Sequence, residues 1–145
     1  MNELIEKYLD VRGIRYYRGY RDDVYFFMVD IGDHARLHVH LEVSGADRDG
    51  VQISITPDRY YPAAYSDRIL QALARWNSDC RAIGALLQES SDPNLVGVAA
   101  GSVYRGVDPA EFGAFVDGCL AAAVELFRSL GALVPPVAAQ LRDAG

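Results

Sequence analysis

Hydrophobic and polar residues alternate along much of the first half of the chain. In ARLHVHLEV (35–43) the odd-numbered positions are apolar and the even-numbered ones are polar. VQISIT (51–56) alternates in the same way, whereas VYFFMVDI (24–31) is apolar on both of its faces. A period of two is typical of β-strands. Together with the aromatic segment RYYRGY (15–20), these stretches predict four antiparallel strands joined as a meander.

Apolar residues recur at helical spacing in three other segments. The first helix is predicted from a cap at Asn2 to a stop at Gly13, and the second covers 66–81. The third, 108–131, has the clearest start, because Asp108 is followed by proline at the first helical position and by glutamate three residues after the cap.

A second hairpin is predicted between the last two helices. Segments 83–90 and 95–104 are interpreted as strands, and residues 91–94 form a turn-like cluster between them. The first of these segments could instead be a helix, because residues 85–89 are also good helix formers. The order α-β-β-β-β-α-β-β-α indicates an α+β fold, an antiparallel sheet of about six strands with the helices packed on one face.

The length favours one domain spanning residues 1–145, with a core over about 3–131 and a tail at 132–145 that is predicted to contain a last short helical piece.

The other face of the sheet is then left open. A tight type II′ turn at Gly32 and Asp33 would place Phe26 and Met28 in the core and the alternate residues of the same strand on the open side. A slip of one residue in the strand pairing would exchange the two sets. The residues predicted to bind a partner on the open face are Tyr25, Phe27, Val29, Arg36, His38 and His40.

An uncovered apolar surface on a sheet marks a place where another chain docks. The sequence therefore predicts a protein or peptide client, or a second copy of the chain, as the occupant. The alternative, given equal weight, is that the tail at 132–145 folds over this surface. If the predicted facing is right, Phe27→Asp abolishes partner binding and leaves the fold intact.

Charge and composition exclude several other classes of protein. The formal net charge is −6, and the densest run of arginines, at positions 12–21, is surrounded by acidic residues. An acidic chain without a basic patch is not expected to bind nucleic acid or an anionic membrane. The N-terminus lacks a signal-peptide pattern, and no apolar run approaches the ~20 residues of a membrane span. A cytoplasmic location is expected, with Cys80 and Cys119 reduced and buried.

The spacing His38-x-His40 is the one pattern that resembles a metal site. Residues i and i+2 of a strand share a face, so two imidazoles could reach one ion, with His34 or Glu42 as a third ligand. Such a pair more often belongs to a polar surface of a strand. The alternative interpretation is a small metal-dependent enzyme. The cysteines have no histidine close in sequence, and no serine lies in a nucleophile motif. We therefore expect no catalytic residues and no cofactor.

The element order and the central stretch RILQALARWN resemble the YbjN and type III secretion chaperone-like superfamily. Its helical signature, leucines followed by an asparagine, falls here on Leu70, Leu73, Trp76 and Asn77, and its long closing helix is matched by VDPAEFGAFVDGCLAAAVELFRSL. The resemblance spans about residues 3–131. It implies a chaperone-like domain that binds peptides or proteins and has no catalytic residues. Type III secretion chaperones are typically homodimers that hold an extended segment of a client, so a homodimer is a further expectation.

Overall fold

The computed structural model describes residues 1–79, 82–135 and the backbone of 137–138. Its helices are α1 (Asn2–Val11), α2 (Ser66–Asp79) and α3 (Pro109–Leu133), and one 3-10 turn, Ala63–Tyr65, precedes α2. Its strands are β1 (Tyr17–Arg18), β2 (Val24–Gly32), β3 (Ala35–Ser44), β4 (Gly50–Pro57), β5 (Arg59–Pro62), β6 (Gly84–Glu89), β7 (Leu95–Arg105) and β8 (Val137–Ala138). The predicted α+β class and element order are confirmed, and segment 84–89 is a strand rather than a helix.

The strands form an antiparallel sheet in the order β1-β2-β3-β4-β7-β6. The short strand β5 directly follows β4 and pairs with the beginning of β7, and β8 pairs with β5. Neither β5 nor β8 was predicted from the sequence, because two to four residues are too few to show a period. Residues 137–138 of the tail are therefore extended and not helical, and the rest of the predicted helical piece lies outside the described residues.

The core lies between one face of the sheet and the three helices. The largest helical contribution comes from α3, whose apolar stripe is buried along its length, and smaller ones come from α1 and α2. Cys119 is buried within this stripe, as expected, whereas Cys80 lies outside the described residues. The sheet side of the core consists of alternate residues of the central strands, including Leu37, Val39, Leu41, Val43, Val51, Ile53 and Ile55.

The β2–β3 hairpin differs from its prediction at the turn. The residues with left-handed backbone at the centre of the turn are Asp33 (φ 53°) and His34 (φ 59°), as in a type I′ turn, rather than Gly32 and Asp33. A register irregularity between Asp30 and Gly32, typical of a β-bulge, takes up one further residue. The Asp30 carboxylate accepts a hydrogen bond from the Gly32 amide at 3.0 Å and so supports this bulge.

The two deviations together shift the strand pairing by one residue. Phe26 lies opposite His40 and Met28 opposite His38, where the predicted turn had placed Val39 and Leu37. Because side chains alternate between the faces of a strand, a shift of one residue moves every side chain of β2 to the other face. The hairpin itself is confirmed, and the predicted facing of β2 is wrong.

Candidate functional site

The site is the exposed face of β1, β2 and β3, opposite the helices. Five outward-facing side chains, which we call the open-face patch, lie at its centre: the exposed Tyr17, Phe26, Met28 and His38, and the half-buried His40. Ser54 and Thr56 of β4 complete the rim of a shallow depression of about 580 Å³. Tyr17 is 57% exposed, Met28 47% and Phe26 39%, which is unusual for three large apolar side chains so close together.

The six predicted site residues divide between the two faces. Arg36, His38 and His40 lie on the open face, as predicted. Tyr25 and Phe27 belong to the core, with 0% and 2% of their surface exposed, and Val29 packs against the same core cluster. Tyr25, Phe27 and Val29 therefore lie under the helices, and the prediction that they are exposed contacts is wrong.

Tyr25 shows why the covered face accepts an aromatic residue with a polar end. Its hydroxyl donates a hydrogen bond to Glu6 Oε2 at 2.6 Å, and Asn2 Nδ2 donates to the same hydroxyl at 3.1 Å. Burial, followed by the Glu6 hydrogen bond, raises the pKa of Tyr25 to about 12. The ring fills the core while the hydroxyl is satisfied by α1, so this residue stabilises the fold and is not available to a partner.

Across the strands, the open-face residues form rows that the sheet register defines. One row, which we call the central row, contains Tyr17, Phe26, His40, Ser54, Gly101 and Gly84, one from each strand in spatial order. The β1–β3 half of this row carries two aromatic rings and an imidazole. The β4–β6 half carries one hydroxyl and no larger side chain, so the sheet surface there is low.

The two glycines of the central row line a second depression. It also measures about 580 Å³, and its lining includes Gln52, Leu86 and Val103 beside the two glycines. Leu86 and Val103 are themselves exposed, at 55% and 46%. Apolar side chains therefore appear again on the open face at β7 and β6, beyond the polar open face of β4, and they lie beside a shallow trough.

His40 takes part in the apolar character of the patch. Its ring centroid lies 4.9 Å from that of Phe26. Burial, followed by the positive charge of Arg21, lowers the pKa of His40 below its usual value. At neutral pH the imidazole is therefore uncharged, and it can pack against an apolar group while still offering one donor and one acceptor.

Formal charges are confined to the margins of the open face. At one end Asp30 lies opposite Arg36, and at the other Glu42 forms an ion pair with Arg21. The central row, and the neighbouring row of Met28, His38 and Thr56, hold no carboxylate, ammonium or guanidinium. Depletion of charge at the centre with charged residues at the rim is the usual composition of a protein–protein interface.

In the part of the chain that the structure describes, the His38 and His40 pair lacks the further ligands that a metal site needs. His34 lies in the exposed turn, and Glu42 is already paired with Arg21. Among the described residues no group of three or more His, Cys, Asp or Glu side chains is arranged to hold a metal ion. The arrangement gives no support to a metal-dependent enzyme, and the two imidazoles instead contribute polar groups to the patch.

The helical signature around Trp76 and Asn77 attaches α2 to β6. The Asn77 side chain exchanges two hydrogen bonds with the backbone of Ala85, at 2.8 and 2.9 Å, and Trp76 Nε1 donates to the Ile83 carbonyl at 3.2 Å. These contacts occupy outward-facing backbone groups at the first half of β6. They cover part of a sheet edge that would otherwise be free to pair with another strand.

Sequence reasoning missed Phe26, Met28 and the glycine half of the central row. The first two were assigned to the core because the turn was placed one residue early and the bulge was not foreseen. A signal was present, since Asp and His, which tolerate left-handed backbone better than most residues, follow Gly32. No sequence signal placed Gly84 and Gly101 side by side, because strand pairing between β6 and β7 decides that.

Within the described part of the chain, every helix falls short of the length or the hydropathy that a membrane span requires.

The chain is similar to the crystal structure of YbjN from E. coli, with a TM-score of 0.70 and 12% sequence identity over 91% of this chain and 93% of that one. It is also similar to an uncharacterized protein from Methanothermobacter thermautotrophicus, with a TM-score of 0.54 and 12% identity over 88% of this chain and 94% of that one. At such identities the likeness shows the fold alone.

A family model provides the stronger evidence of relationship. It is the YbjN model, described as "Putative bacterial sensory transduction regulator", and it matches residues 2–132. No curated protein matches the chain. The resemblance inferred from RILQALARWN and the element order is confirmed, and because the match covers nearly the whole chain, the protein belongs to the YbjN family.

Proposed function

We propose that this chain is a non-enzymatic, protein-binding module that holds an apolar segment of another polypeptide chain on its open sheet face. The observation that carries the proposal is the open-face patch, where Tyr17, Phe26 and Met28 are exposed together on a sheet whose other face is covered by helices. A partner that buries exposed apolar side chains of this size stabilises the complex, by about 25 cal/mol for each Å² of apolar surface removed from water.

The polar groups of the patch would give such a contact its orientation. His38 and His40 lie between the apolar side chains and the hydroxyls of Ser54 and Thr56, so they can hydrogen-bond to the backbone of a docked segment. Arg36 at the margin would contact charged residues at the edge of the partner. Apolar anchors surrounded by a polar rim are the common organisation of such sites.

The family supports a role carried out through contacts with other proteins. The family model is described as "Putative bacterial sensory transduction regulator", and such a role is compatible with binding to other proteins. The chaperone-like activity and the cytoplasmic location remain predictions from the sequence. So does the expectation that nucleic acid and membranes are not partners.

The proposal is tested by capture of proteins from an extract of the native cell on three immobilised chains, the unchanged protein and two variants. Phe26→Asp places a charge in the patch, and Leu70→Asp places one on the solvent side of α2, where the leucine is 48% exposed. We expect a defined set of proteins to be retained by the unchanged chain and by Leu70→Asp, and to be lost with Phe26→Asp.

The decisive comparison in that experiment is between the two aspartate variants. Both should show the same circular dichroism and nearly the same unfolding midpoint, since both replace an exposed side chain. If the same proteins bind all three chains, or if none binds the unchanged chain above background, the open face is not a docking surface.

A further inference from the structure

We propose that a cavity behind the β2–β3 turn binds a phosphate group, which is held by Arg59, Arg128 and the hydroxyl of Tyr61. The cavity, which we call the turn cavity, lies between this turn, the beginning of β5 and the last turns of α3. It shares no lining residue with the depression over the open-face patch, so the inference goes beyond the proposed function. Its lining includes Ile31, Asp33, Arg59, Tyr61, Phe127 and Arg128.

Two arginines reach the β2–β3 turn from different elements. Arg59 begins β5, and its Nη2 donates a hydrogen bond to the Asp33 carbonyl at 3.1 Å. Arg128 belongs to α3, and its Nη2 donates to the Ile31 carbonyl at 3.0 Å. Ile31 and Asp33 are two residues apart, so their Cα atoms are separated by at most about 7 Å. Both guanidinium groups are therefore held at the same turn, and both line the cavity.

Each guanidinium has more hydrogen-bond donors than these carbonyls use. It carries five N–H groups in a planar fork that matches the spacing of two phosphate oxygens. Arg128 forms no ion pair with a described residue. Arg59 Nε lies 3.8 Å from Asp58 Oδ1, an oxygen that also accepts a hydrogen bond from the Arg36 amide at 3.3 Å. Since this carboxylate is shared, it neutralises Arg59 only in part.

Tyr61 adds a third group, which comes from the core. It lines the turn cavity with 2% of its surface exposed, and the described residues supply no hydrogen-bond partner for its hydroxyl. Burial raises the pKa of Tyr61 to about 12, although the positive charge of Arg59 acts to lower it. At neutral pH the hydroxyl is therefore protonated. A tyrosine this buried normally satisfies its hydroxyl, so the unused donor points to a ligand.

The number of donors favours a phosphate group over a carboxylate. A phosphate has enough oxygens to accept from two guanidinium groups and a hydroxyl at once, whereas a carboxylate has only two oxygens. The volume of the turn cavity, about 280 Å³, is close to the lower limit for small-molecule sites. The lining also contains apolar Ile31 and Phe127, which could contact the carbon atoms of a small phosphate ester.

NMR titration of the full chain tests the inference. The probes are inorganic phosphate, glycerol 3-phosphate and acetate, each compared with sodium chloride at the same ionic strength. We expect both phosphates to shift the amide signals of residues 31–33 with a Kd of about 1 mM or lower. Tighter binding of glycerol 3-phosphate would identify an organic phosphate as the source of the group, and tighter binding of inorganic phosphate would identify the free ion.

Three variants and a control assign the binding to the turn cavity. Arg59→Gln and Arg128→Gln each remove a charged donor, so each should weaken phosphate binding by about tenfold. Tyr61→Phe removes only the hydroxyl, so it should weaken binding by about threefold and leave the unfolding midpoint nearly unchanged. Arg75→Gln removes the same charge from an exposed position on α2, outside the cavity lining, and should bind as the unchanged protein does.

Several results would overturn the inference. The phosphates could shift the turn signals no more than chloride does, or acetate could bind as tightly as phosphate. Equal losses of affinity in Arg75→Gln and Arg128→Gln would show a general effect of net charge instead of a site. Phe26→Asp, on the open-face patch, should still bind phosphate. Failure here therefore leaves the proposed function untouched, and loss of protein capture leaves the turn cavity untouched.

Discussion

The two faces of β2 have nearly the same sequence character and opposite roles. Tyr25 and Phe27 are buried among the helices, whereas Phe26 and Met28, from the same strand, remain exposed to solvent. Each face of this strand is apolar enough to form a core. What separates them is the position of α1 and α3, which cover only one side of the sheet.

The next two strands show a sharper division. In β3 and β4 the covered face carries aliphatic residues and the open face carries histidine, serine and threonine. Among the described residues of the first four strands, β2 and the adjoining Tyr17 bring large apolar side chains to the open side. In this part of the sheet the excess of apolar residues therefore lies in β2, the strand whose two faces are both apolar.

The variants Phe27→Asp and Phe26→Asp test the difference between the two faces of β2 most directly. The larger loss of folding stability is expected from Phe27→Asp. Truncating a buried phenylalanine to alanine costs about 3–5 kcal/mol, and a buried unpaired carboxylate adds to that cost. Phe27→Asp should therefore lower the free energy of unfolding by more than about 4 kcal/mol, or prevent folding. Phe26→Asp, on the open face, should change it by less than about 1 kcal/mol.

Urea unfolding of both variants measures this difference directly. The expected order of the two stabilities is the opposite of the one that the sequence predicts, since the sequence predicts that Phe27 is exposed and Phe26 is buried. If Phe26→Asp turned out to be the more destabilising of the two, the register of the β2–β3 hairpin described above would be wrong.

An intermediate effect is expected where the covered and open regions meet, along β6. Asn77→Ala removes two hydrogen bonds to the Ala85 backbone, each worth about 0.5–1.5 kcal/mol, so we expect a loss of about 1–2 kcal/mol. The Ala85 amide should also exchange its hydrogen faster than in the unchanged protein.

The neighbouring substitution Ser78→Ala serves as the control for Asn77→Ala. It removes a smaller polar side chain from the same exposed turn of α2 and should leave both stability and exchange at Ala85 unchanged. Equal protection of the Ala85 amide in the two variants would show that Asn77 does not hold this edge.

The smallest effect concerns the pH dependence of stability. Burial, followed by Arg21, holds the pKa of folded His40 below the 6.5 of an unperturbed histidine. As the pH falls through 6.5, the unfolded chain takes up this proton before the folded one, so stability declines until the folded pKa has been passed. Above that range His40 makes no such contribution.

Replacing His40 by glutamine should therefore flatten the fall in stability on the acid side of neutrality. The measurement is the free energy of unfolding in urea at a series of pH values, compared between His40→Gln and the unchanged protein. His34→Asn, in the exposed turn, is the control and should follow the unchanged protein. Parallel curves for all chains would show that His40 is not held in its neutral form by the fold.

The local patterns of the chain were sufficient for most of the fold. Alternation in 35–43 and 51–56 identified both central strands and their buried faces correctly, because each has one apolar side and one polar side. The cap at Asp108 located the start of α3, and its side chain accepts a hydrogen bond from the Ala110 amide at 3.0 Å. These features depend on interactions between residues that are close together in the sequence, so they can be predicted without knowing the tertiary structure.

The open-face patch could not be predicted in the same way. Segment 24–31 has no polar side, so the sequence does not show which of its faces is buried. The prediction therefore depended on the position of one turn, and a bulge near Gly32 reversed which residues face the core. The apposition of Gly84 and Gly101 arises from pairing between β6 and β7. By itself the sequence determined the family, the three helices and the longer strands, and an excess of apolar residues in one strand. Only the tertiary structure decided which of those residues are exposed, because covering helices and strand register are properties of the assembled chain.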